Sequence, residues 1–229
     1  MPLSRDCVVY CILSITLLFN INKSIAQEYL LEIGPTGGAN YYSGDVNQKL
    51  FQNIGYELGI TLKYNINLRN VVKLNVNREQ IRSKSETGIN IFPYHPYSFE
   101  RSFIEISSGY EYNFFSYSDL YEYNESKRWT PYIYIGVGYL YSSNGKNLDQ
   151  INALTLPLGI GFKYKIKNRV NLGIEYSMTW CSNDKLDGLK DPYQIQSSKF
   201  KNKDWISSLR VFITYDFCKK KCNCPRDYK

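Results

Sequence analysis

A chain of 229 residues is long enough for one domain with a short appendage, and its formal net charge of +7 is spread along the sequence apart from a basic cluster at the C-terminus. Nucleic-acid binding needs a basic stripe on a recognisable module, and the sequence has none, so we predict no nucleic-acid partner. The 22 tyrosines and 11 phenylalanines suit side chains that lie at a membrane–water boundary.

The first 26 residues have the three parts of a secretory signal peptide. Arg5 supplies the positive start, an apolar run extends from Cys7 to Ile21, and Ser24-Ile25-Ala26 is a small-x-small cleavage site. The apolar run is short for a helix that spans a membrane. We therefore expect a signal peptide at 1–26 and a mature chain that begins at Gln27, in a compartment that permits disulfides.

Segments of the mature chain alternate apolar side chains with polar side chains or glycine. This period of two is typical of β-strands, and it is clearest between Trp129 and Trp180, where three such segments follow one another. Each extends for about eleven residues, which suits a strand that crosses a bilayer better than the usual soluble strand of about five or six. In chain order, the predicted strands are centred on Tyr29–Gly34, Tyr56–Ile66, Val72–Asn77, Ile104–Phe114, Trp129–Tyr139, Leu154–Ile166, Val170–Trp180 and Trp205–Phe217.

These segments predict an all-β fold, an eight-stranded antiparallel up-and-down transmembrane β-barrel over residues 27–217, followed by a basic, cysteine-containing periplasmic tail at 218–229. Tight turns near Asn67 and at Lys167-Asn168-Arg169 alternate with longer connections that include a loop beginning at Tyr41. Short periplasmic turns and longer external loops are the outer-membrane pattern, with both ends of the mature chain in the periplasm. The connector Ser116–Arg128 is the exception, because it is periplasmic in this scheme and yet long.

A soluble eight-stranded barrel, such as a lipocalin, is the rival architecture, since alternation alone does not say which face is inside. Two features favour lipid on the outside. Aromatic residues lie at both ends of the apolar face, as Trp129 and Tyr139 do, and the other face mixes glycines with charges of both signs. Eight strands leave an interior just wide enough for side chains, so these charges are expected to pair and fill the lumen. The predicted ion-pair network consists of Glu57, Lys63, Lys73, Glu105, Glu111, Lys163, Glu175 and Arg210.

Two motifs resemble a known family: Glu111-Tyr112-Asn113-Phe114-Phe115 and Trp129-Thr130-Pro131-Tyr132-Ile133-Tyr134-Ile135-Gly136-Val137-Gly138. They are similar to the PorG family of small outer-membrane barrels from the type IX secretion system. Further agreements occur near Glu32-Ile33-Gly34, Gly37–Asp45, Leu156–Tyr164 and Asp184–Asp187, so the resemblance covers most of the mature chain. It implies an outer-membrane protein that anchors or organises the periplasmic ring of a protein-export machine.

Two segments are candidate docking sites for periplasmic secretion-ring proteins. One is the long connector, with Tyr117, Asp119, Tyr121, Glu122 and Tyr123; the other is the basic tail, with Lys219, Lys220 and Lys221, which also fits a solvated chain end. The alternative function is a standalone small outer-membrane barrel, OmpX-like, whose external loops Arg82–Arg101 and Ser182–Lys203 mediate adhesion or bind a surface ligand.

The sequence offers little for catalysis or metal binding. The one histidine, His95, lies in a polar stretch beside Pro96, away from any predicted strand, so we predict no enzyme activity, no cofactor and no small-molecule substrate. The spacing of Cys218, Cys222 and Cys224 matches no usual zinc pattern. Cys181 and Cys218 are predicted at opposite ends of the barrel, too far apart for a disulfide. Any bridge is therefore local to the tail, within Cys218, Cys222 and Cys224, or intermolecular.

Overall fold

The computed structural model describes residues 29–43, 54–84, 98–118, 126–142, 150–182 and 205–219. The predicted signal peptide, His95 and most of the C-terminal tail lie outside these ranges. The described chain forms eight strands: β1 (Tyr29–Ser43), β2 (Gly55–Asn65), β3 (Asn70–Lys84), β4 (Ser98–Asn113), β5 (Trp129–Ser142), β6 (Ile151–Lys167), β7 (Val170–Cys181) and β8 (Trp205–Lys219).

Every strand pairs antiparallel with its neighbours in sequence, and β1 pairs with β8, so the sheet closes into a barrel. The closure confirms the predicted eight-stranded all-β barrel. Because a closed sheet has no edge, each strand has a hydrogen-bonding partner on both sides. None of the described residues forms a helix of the length and hydropathy needed to cross a membrane.

Several strands are longer than the sequence suggested. The loop expected from Tyr41 begins later, because Tyr41 and Ser43 still pair with Ser207 and Trp205 of β8. Likewise, β3 and β4 continue into the polar stretch and pair as far as Lys84 and Ser98. At the C-terminus β8 includes Cys218 and Lys219, which the sequence assigned to the tail. Backbone pairing extends these strands beyond the residues whose side chains alternate clearly.

The alternation of side chains decides which face of the sheet is outside. Along β6, for example, Leu154, Leu158 and Ile160 are exposed, whereas Thr155 and Lys163 are buried. Most of the large exposed side chains of the other strands are likewise apolar or aromatic, and most of the buried ones are polar or charged. A soluble lipocalin-like barrel would have the opposite arrangement. The described barrel therefore has an apolar outer surface and a polar, charged lumen, as predicted.

The two ends of the barrel differ. One end, called the turn end from here on, holds Tyr29, the turn at residues 66–69, the turn at residues 168–169 and the last strand residue, Lys219. In the first of these turns the Asn67 side-chain oxygen accepts hydrogen bonds from the backbone N–H groups of Arg69 at 2.9 Å and Asn70 at 2.7 Å, which fixes a tight reversal. The opposite end, called the loop end, holds Ser43, Lys84 and Cys181.

Gly34 lies at the β1–β8 seam that closes the barrel. A Cβ atom added there would overlap the backbone carbonyl oxygen of Ile213 and would approach the Thr214 Cα to 2.7 Å. Since both are backbone atoms, relief requires movement of a strand. We expect Gly34→Ala to lower the free energy of unfolding by about 1–3 kcal/mol, measured by denaturant titration in detergent micelles.

Gly37→Ala is the matched control on the same strand. Its added Cβ would meet the Leu58 Cδ2 atom at 3.4 Å, an ordinary van der Waals contact, so the variant should unfold like the parent chain. Equal stability of the two variants would mean that the seam at Gly34 adjusts without cost.

Candidate functional site

Glu111 is the centre of one buried ion cluster in the lumen. Its two carboxylate oxygens accept hydrogen bonds from the Lys63 ammonium group at 3.0 Å and from the Lys163 ammonium group at 2.5 Å. All three side chains are fully buried. They come from β2, β4 and β6, so the cluster ties together strands that are not neighbours in the sheet. One carboxylate thus holds two ammonium groups that are out of contact with solvent.

Glu175 is the centre of a second cluster. It accepts hydrogen bonds from the Lys73 ammonium group at 2.6 Å and from the Tyr132 hydroxyl group at 2.7 Å. The Arg210 guanidinium group lies 3.7 Å from Glu175 and 3.3 Å from Glu57, and it donates a hydrogen bond to the Ser177 hydroxyl group at 2.9 Å. Arg210 therefore joins the carboxylates of β2 and β7 across the lumen.

Three buried aromatic rings fill the space between these clusters: Tyr132, Tyr134 and Phe212. The Lys63 ammonium nitrogen lies 4.2 Å from the centroid of the Phe212 ring, and the Lys73 nitrogen lies 4.7 Å from that of Tyr134. Contacts of this kind attract a cation to the face of the ring. The rings therefore occupy volume and also stabilise the two lysines.

Glycines on neighbouring strands make room for two of these rings. Tyr132 is paired in register with Gly161, and Phe212 is paired with Gly173. A Cβ atom at either glycine would overlap the ring opposite. The role of Tyr132 and Phe212 in filling the lumen was not predicted from the sequence. The signal that could have found it is this cross-strand pairing of glycine with an aromatic residue, which is visible only once the register is known.

The structure buries every member of the predicted ion-pair network. Glu105 accepts a hydrogen bond from the Thr155 hydroxyl group at 2.7 Å, and the remaining members take part in the two clusters. A further pair lies near the turn end, where the Lys165 ammonium group lies 2.5 Å from Asp216 and the Asn171 amide group donates to the same carboxylate. The charged lumen thus extends beyond the residues selected from the sequence.

Tyr117 differs from its prediction as a docking residue. Its ring is buried at the turn end of the lumen, its hydroxyl group donates a hydrogen bond to Asn171 at 2.7 Å, and the Lys163 nitrogen lies 4.7 Å from the ring centroid. The backbone N–H group of Tyr117 also bonds to the Leu68 carbonyl oxygen at 3.3 Å. Because these contacts turn the side chain inward, Tyr117 closes the lumen and is not exposed to a partner.

The connector that carries Tyr117 is held at both of its described ends. Tyr117 and Lys127 form an isolated β-bridge, with hydrogen bonds from the Ser118 N–H group to the Lys127 carbonyl oxygen at 3.2 Å and from the Lys127 N–H group to the Ser116 carbonyl oxygen at 2.8 Å. The candidate docking residues Asp119, Tyr121, Glu122 and Tyr123 lie between these points and outside the described residues.

The candidate tail residues are only partly described. Lys219 ends β8, whereas Lys220, Lys221, Cys222 and Cys224 lie outside the described residues. Cys218 is exposed at the turn end, and Cys181 is buried at the loop end. The predicted separation of these two cysteines agrees with the pairing of β7 and β8. Within the described ranges, no group of three or more His, Cys, Asp or Glu residues is placed to hold a metal ion.

The contacts in the lumen support a structural role for it. Most of its carboxylates accept hydrogen bonds from buried lysines, amides and hydroxyl groups, Glu57 lies beside the Arg210 guanidinium group, and three aromatic rings pack together inside the barrel. An arrangement that separated these partners would leave an uncompensated charge buried in the lumen, which is strongly destabilising. The described lumen is thus a packed plug.

Comparison with known proteins places this barrel among small outer-membrane folds. A family model described as "Domain of unknown function (DUF6089)" matches residues 9–226. The crystal structure of Neisserial surface protein A is similar, with a TM-score of 0.51 and 13% sequence identity, covering 82% of this chain and 97% of that chain. At this identity the likeness shows a shared fold.

Two further outer-membrane proteins have weaker structural similarity. OprG from Pseudomonas aeruginosa has a TM-score of 0.45 and 12% identity, covering 84% of this chain and 98% of that chain. Ail, the attachment invasion locus protein of Yersinia pestis, has a TM-score of 0.45 and 12% identity, covering 83% of this chain and 100% of that chain. A search of curated proteins gave no match.

Proposed function

We propose that this chain, which belongs to the DUF6089 family, is an outer-membrane β-barrel that serves as a structural component of a type IX protein secretion system, anchoring periplasmic partners to the membrane. The observation that carries the membrane part of the proposal is the apolar outer surface. The secretion part is supported by the motifs that resemble the PorG family, above all Glu111–Phe115 and Trp129–Gly138.

The outer surface favours lipid over water as its surroundings. Leu58, Val137 and Leu154 are 62–65% exposed, and comparable apolar side chains project from all eight strands. Soluble monomers rarely expose apolar patches of more than a few hundred Å², and larger ones mark protein or membrane contacts. A belt around the whole circumference fits the hydrocarbon layer of a bilayer. Its aromatic edges, such as Trp129 and Trp205, fit the two interfaces.

The packed lumen favours an anchoring role over transport. The ion clusters at Glu111 and Glu175 and the rings of Tyr132 and Phe212 occupy the interior, and Tyr117 covers it at the turn end. A solute that crossed the barrel would have to displace these paired charges. The barrel thus suits a rigid membrane support whose function resides in the segments attached to it.

The turn end is the proposed side of partner contact. Both ends of the described barrel, Tyr29 and Lys219, lie there, and so does the connector held by the bridge between Tyr117 and Lys127. If the chain follows the outer-membrane pattern, this end faces the periplasm. The described ends of the connector, Ser118 and Ser126, then lie on the periplasmic side, and the residues between them in the sequence include the candidate partner contacts Asp119, Tyr121, Glu122 and Tyr123. The tail lysines Lys220 and Lys221 follow from the same end.

A second candidate function is a standalone barrel that acts through its external loops. The connections at the loop end, residues 44–54, 85–97, 143–150 and 182–204, are longer than the turns at 66–69 and 168–169. Long connections gathered at one end are where binding residues are commonly carried on a rigid scaffold. In this alternative the loops mediate adhesion or bind a surface ligand, and the turn end has no partner.

Segment replacement in the producing cell separates the two functions. We expect replacement of residues 119–125 by a Gly-Ser linker of equal length to reduce cargo secretion into the medium and co-recovery of periplasmic ring proteins after crosslinking. Replacement of residues 85–97 at the loop end by a Gly-Ser linker of equal length is the control. It should leave cargo secretion and co-recovery of ring proteins unchanged. Folding of each variant is checked by its resistance to protease in outer-membrane fractions.

The opposite pattern would refute the secretion role. If replacement of 119–125 leaves both secretion and co-recovery intact while replacement of 85–97 abolishes surface adhesion, the barrel acts through its loops.

A further inference from the structure

Every exposed charged side chain that the structure describes at the turn end is basic: Arg69, Lys127, Lys167 and Arg169. The half-buried Arg128 belongs with them, since it donates a hydrogen bond to the Ile166 carbonyl oxygen at 3.3 Å. The described acidic residues at this end, Glu32, Glu111 and Asp216, are buried in the lumen. The described part of the rim therefore presents positive charge outward, and its densest group of cations runs from Lys127 and Arg128 to Lys167 and Arg169. We name these four residues the basic arc.

Contacts with aromatic side chains hold the ends of the basic arc at the edge of the apolar belt. The Lys127 ammonium nitrogen lies 4.1 Å from the Phe115 ring centroid and 5.3 Å from that of Trp129. At the other end, the Arg169 guanidinium group donates hydrogen bonds to the Tyr29 hydroxyl group at 3.0 Å and to the Tyr215 hydroxyl group at 3.1 Å. Cations held in this way sit at the boundary between belt and water.

The outer surface next to the basic arc is continuously apolar. Trp129 stacks on Phe162 with 5.7 Å between ring centroids, and both rings are about two-fifths exposed on the lipid-facing side. Further along β5, about 13 Å from Trp129 at the usual rise per residue, an apolar groove begins. It has a volume of about 730 Å³, and its exposed lining includes Tyr110, Ile133, Ile135, Leu158, Ile160 and Met178.

We propose that the basic arc and this groove form a binding site for an anionic phospholipid of the adjacent leaflet. The phosphate group binds Lys127 and Arg128, the glycerol region lies against Trp129 and Phe162, and an acyl chain occupies the groove. A basic cluster beside a membrane attracts anionic headgroups. The basic arc borders directly on the apolar outer surface. A lipid can contact the arc with its headgroup and the groove with an acyl chain, whereas an acidic protein segment would contact the arc alone, so the arrangement favours a lipid. The proposal rests on the membrane location proposed above.

The test uses Trp129 as a local reporter. The full mature chain with Trp180→Phe and Trp205→Phe keeps Trp129 as its one tryptophan. It is reconstituted in vesicles of phosphatidylcholine with a minor fraction of phosphatidylglycerol. Quenching is then measured with one lipid or the other brominated on its acyl chains near the glycerol. We expect phosphatidylglycerol to associate at Trp129 about thirtyfold more strongly than phosphatidylcholine, the ratio for two basic side chains near an anionic headgroup.

Substitutions in the basic arc test whether the arc causes the preference for phosphatidylglycerol. Lys127→Gln with Arg128→Gln should lower the ratio to about one, and the charge-retaining pair Lys127→Arg with Arg128→Lys should restore it. Arg78→Gln with Arg82→Gln, which removes exposed charge nearer the loop end, should leave it unchanged. Circular dichroism in the same vesicles checks that each variant keeps its β-structure.

Three results would overturn the lipid site, and they are distinguishable from a failure of the membrane location. The lipid site is refuted if phosphatidylglycerol and phosphatidylcholine associate equally at Trp129 of the reporter chain. It is also refuted if the preference for phosphatidylglycerol persists after Lys127 and Arg128 are replaced. If poly-glutamate shifts Trp129 emission in phosphatidylcholine vesicles while phosphatidylglycerol shows no preference, the arc is a docking surface for acidic polypeptide. If no brominated lipid quenches Trp129 at all, the membrane location itself fails, and the lipid site with it.

Discussion

Replacement of Glu111 by Gln should lower the free energy of unfolding by about 3–5 kcal/mol, the usual cost of removing one partner from a buried ion pair. The glutamine keeps the volume of the side chain and removes its charge. The ammonium groups of Lys63 and Lys163, which lie 3.0 Å and 2.5 Å from Glu111, then lose their carboxylate inside the lumen. Denaturant titration of tryptophan fluorescence in lipid vesicles measures the change.

The same substitution at Glu100 is the control. Glu100 and Arg82 form an ion pair at 3.3 Å in which both side chains are more than half exposed, so Glu100→Gln should change stability by about 0–1 kcal/mol. Adding Lys163→Met to Glu111→Gln should recover part of the loss, because one of the two uncompensated ammonium groups is then gone. A Glu111→Gln variant as stable as Glu100→Gln would show that the lumen accommodates unpaired lysines.

The strands and the polarity of the two faces could be predicted from the sequence because both follow from local patterns. A period of two over β5, β6 and β7 predicts strands whatever their partners. Charges of both signs at alternate positions, such as Glu57 and Lys63, predict a filled lumen because eight strands leave so little space. The length and alternation of the strands predicted a barrel, an even number of strands lets β1 and β8 pair antiparallel, and the structure confirms the closed barrel.

The geometry of the site required the register, which alternation does not contain. The sequence shows Glu111, Lys63 and Lys163 on inward faces, but their contact depends on how far each strand is shifted along its neighbour. The same holds for the packing of Phe212 over Gly173. Strand ends were also missed, since backbone pairing continues to Lys84 and Ser98, where the side-chain pattern has faded.

Tyr117 shows why a loop residue is the hardest to assign. Tyrosine is common throughout this chain, so a tyrosine in a polar connector fits an exposed interface as well as a buried cap. The decision depends on Asn171, Lys163 and Lys165, which lie far away in sequence and meet the Tyr117 ring only after the barrel has closed. The inward position of Tyr117 is therefore determined by tertiary contacts and not by the local sequence.

The orientation of the apolar face, on which the proposed function depends, is tested by an arginine placed in the belt. Leu158 is about half exposed, lies near the middle of β6 and is paired in register with Ile135 and Met178. If this position faces the middle of a bilayer, Leu158→Arg should cost about 2–4 kcal/mol of folding free energy. Ile166 projects outward from the same strand at the turn end, where the cost of Ile166→Arg should fall to about 0–1 kcal/mol.

The dependence on depth is what distinguishes lipid from other apolar surroundings. Refolding into vesicles gives the free energy of unfolding for both variants, and refolding into detergent micelles shows whether both chains still close into barrels. Water outside the barrel would hydrate an arginine at either position, so the two costs would be equal and small. Equal costs at the two positions would show that Leu158 does not face lipid. The proposed membrane anchor, on which a role in secretion depends, would then be wrong. A cost that decreases from Leu158 to Ile166 follows only if the side chains lie at different depths in hydrocarbon.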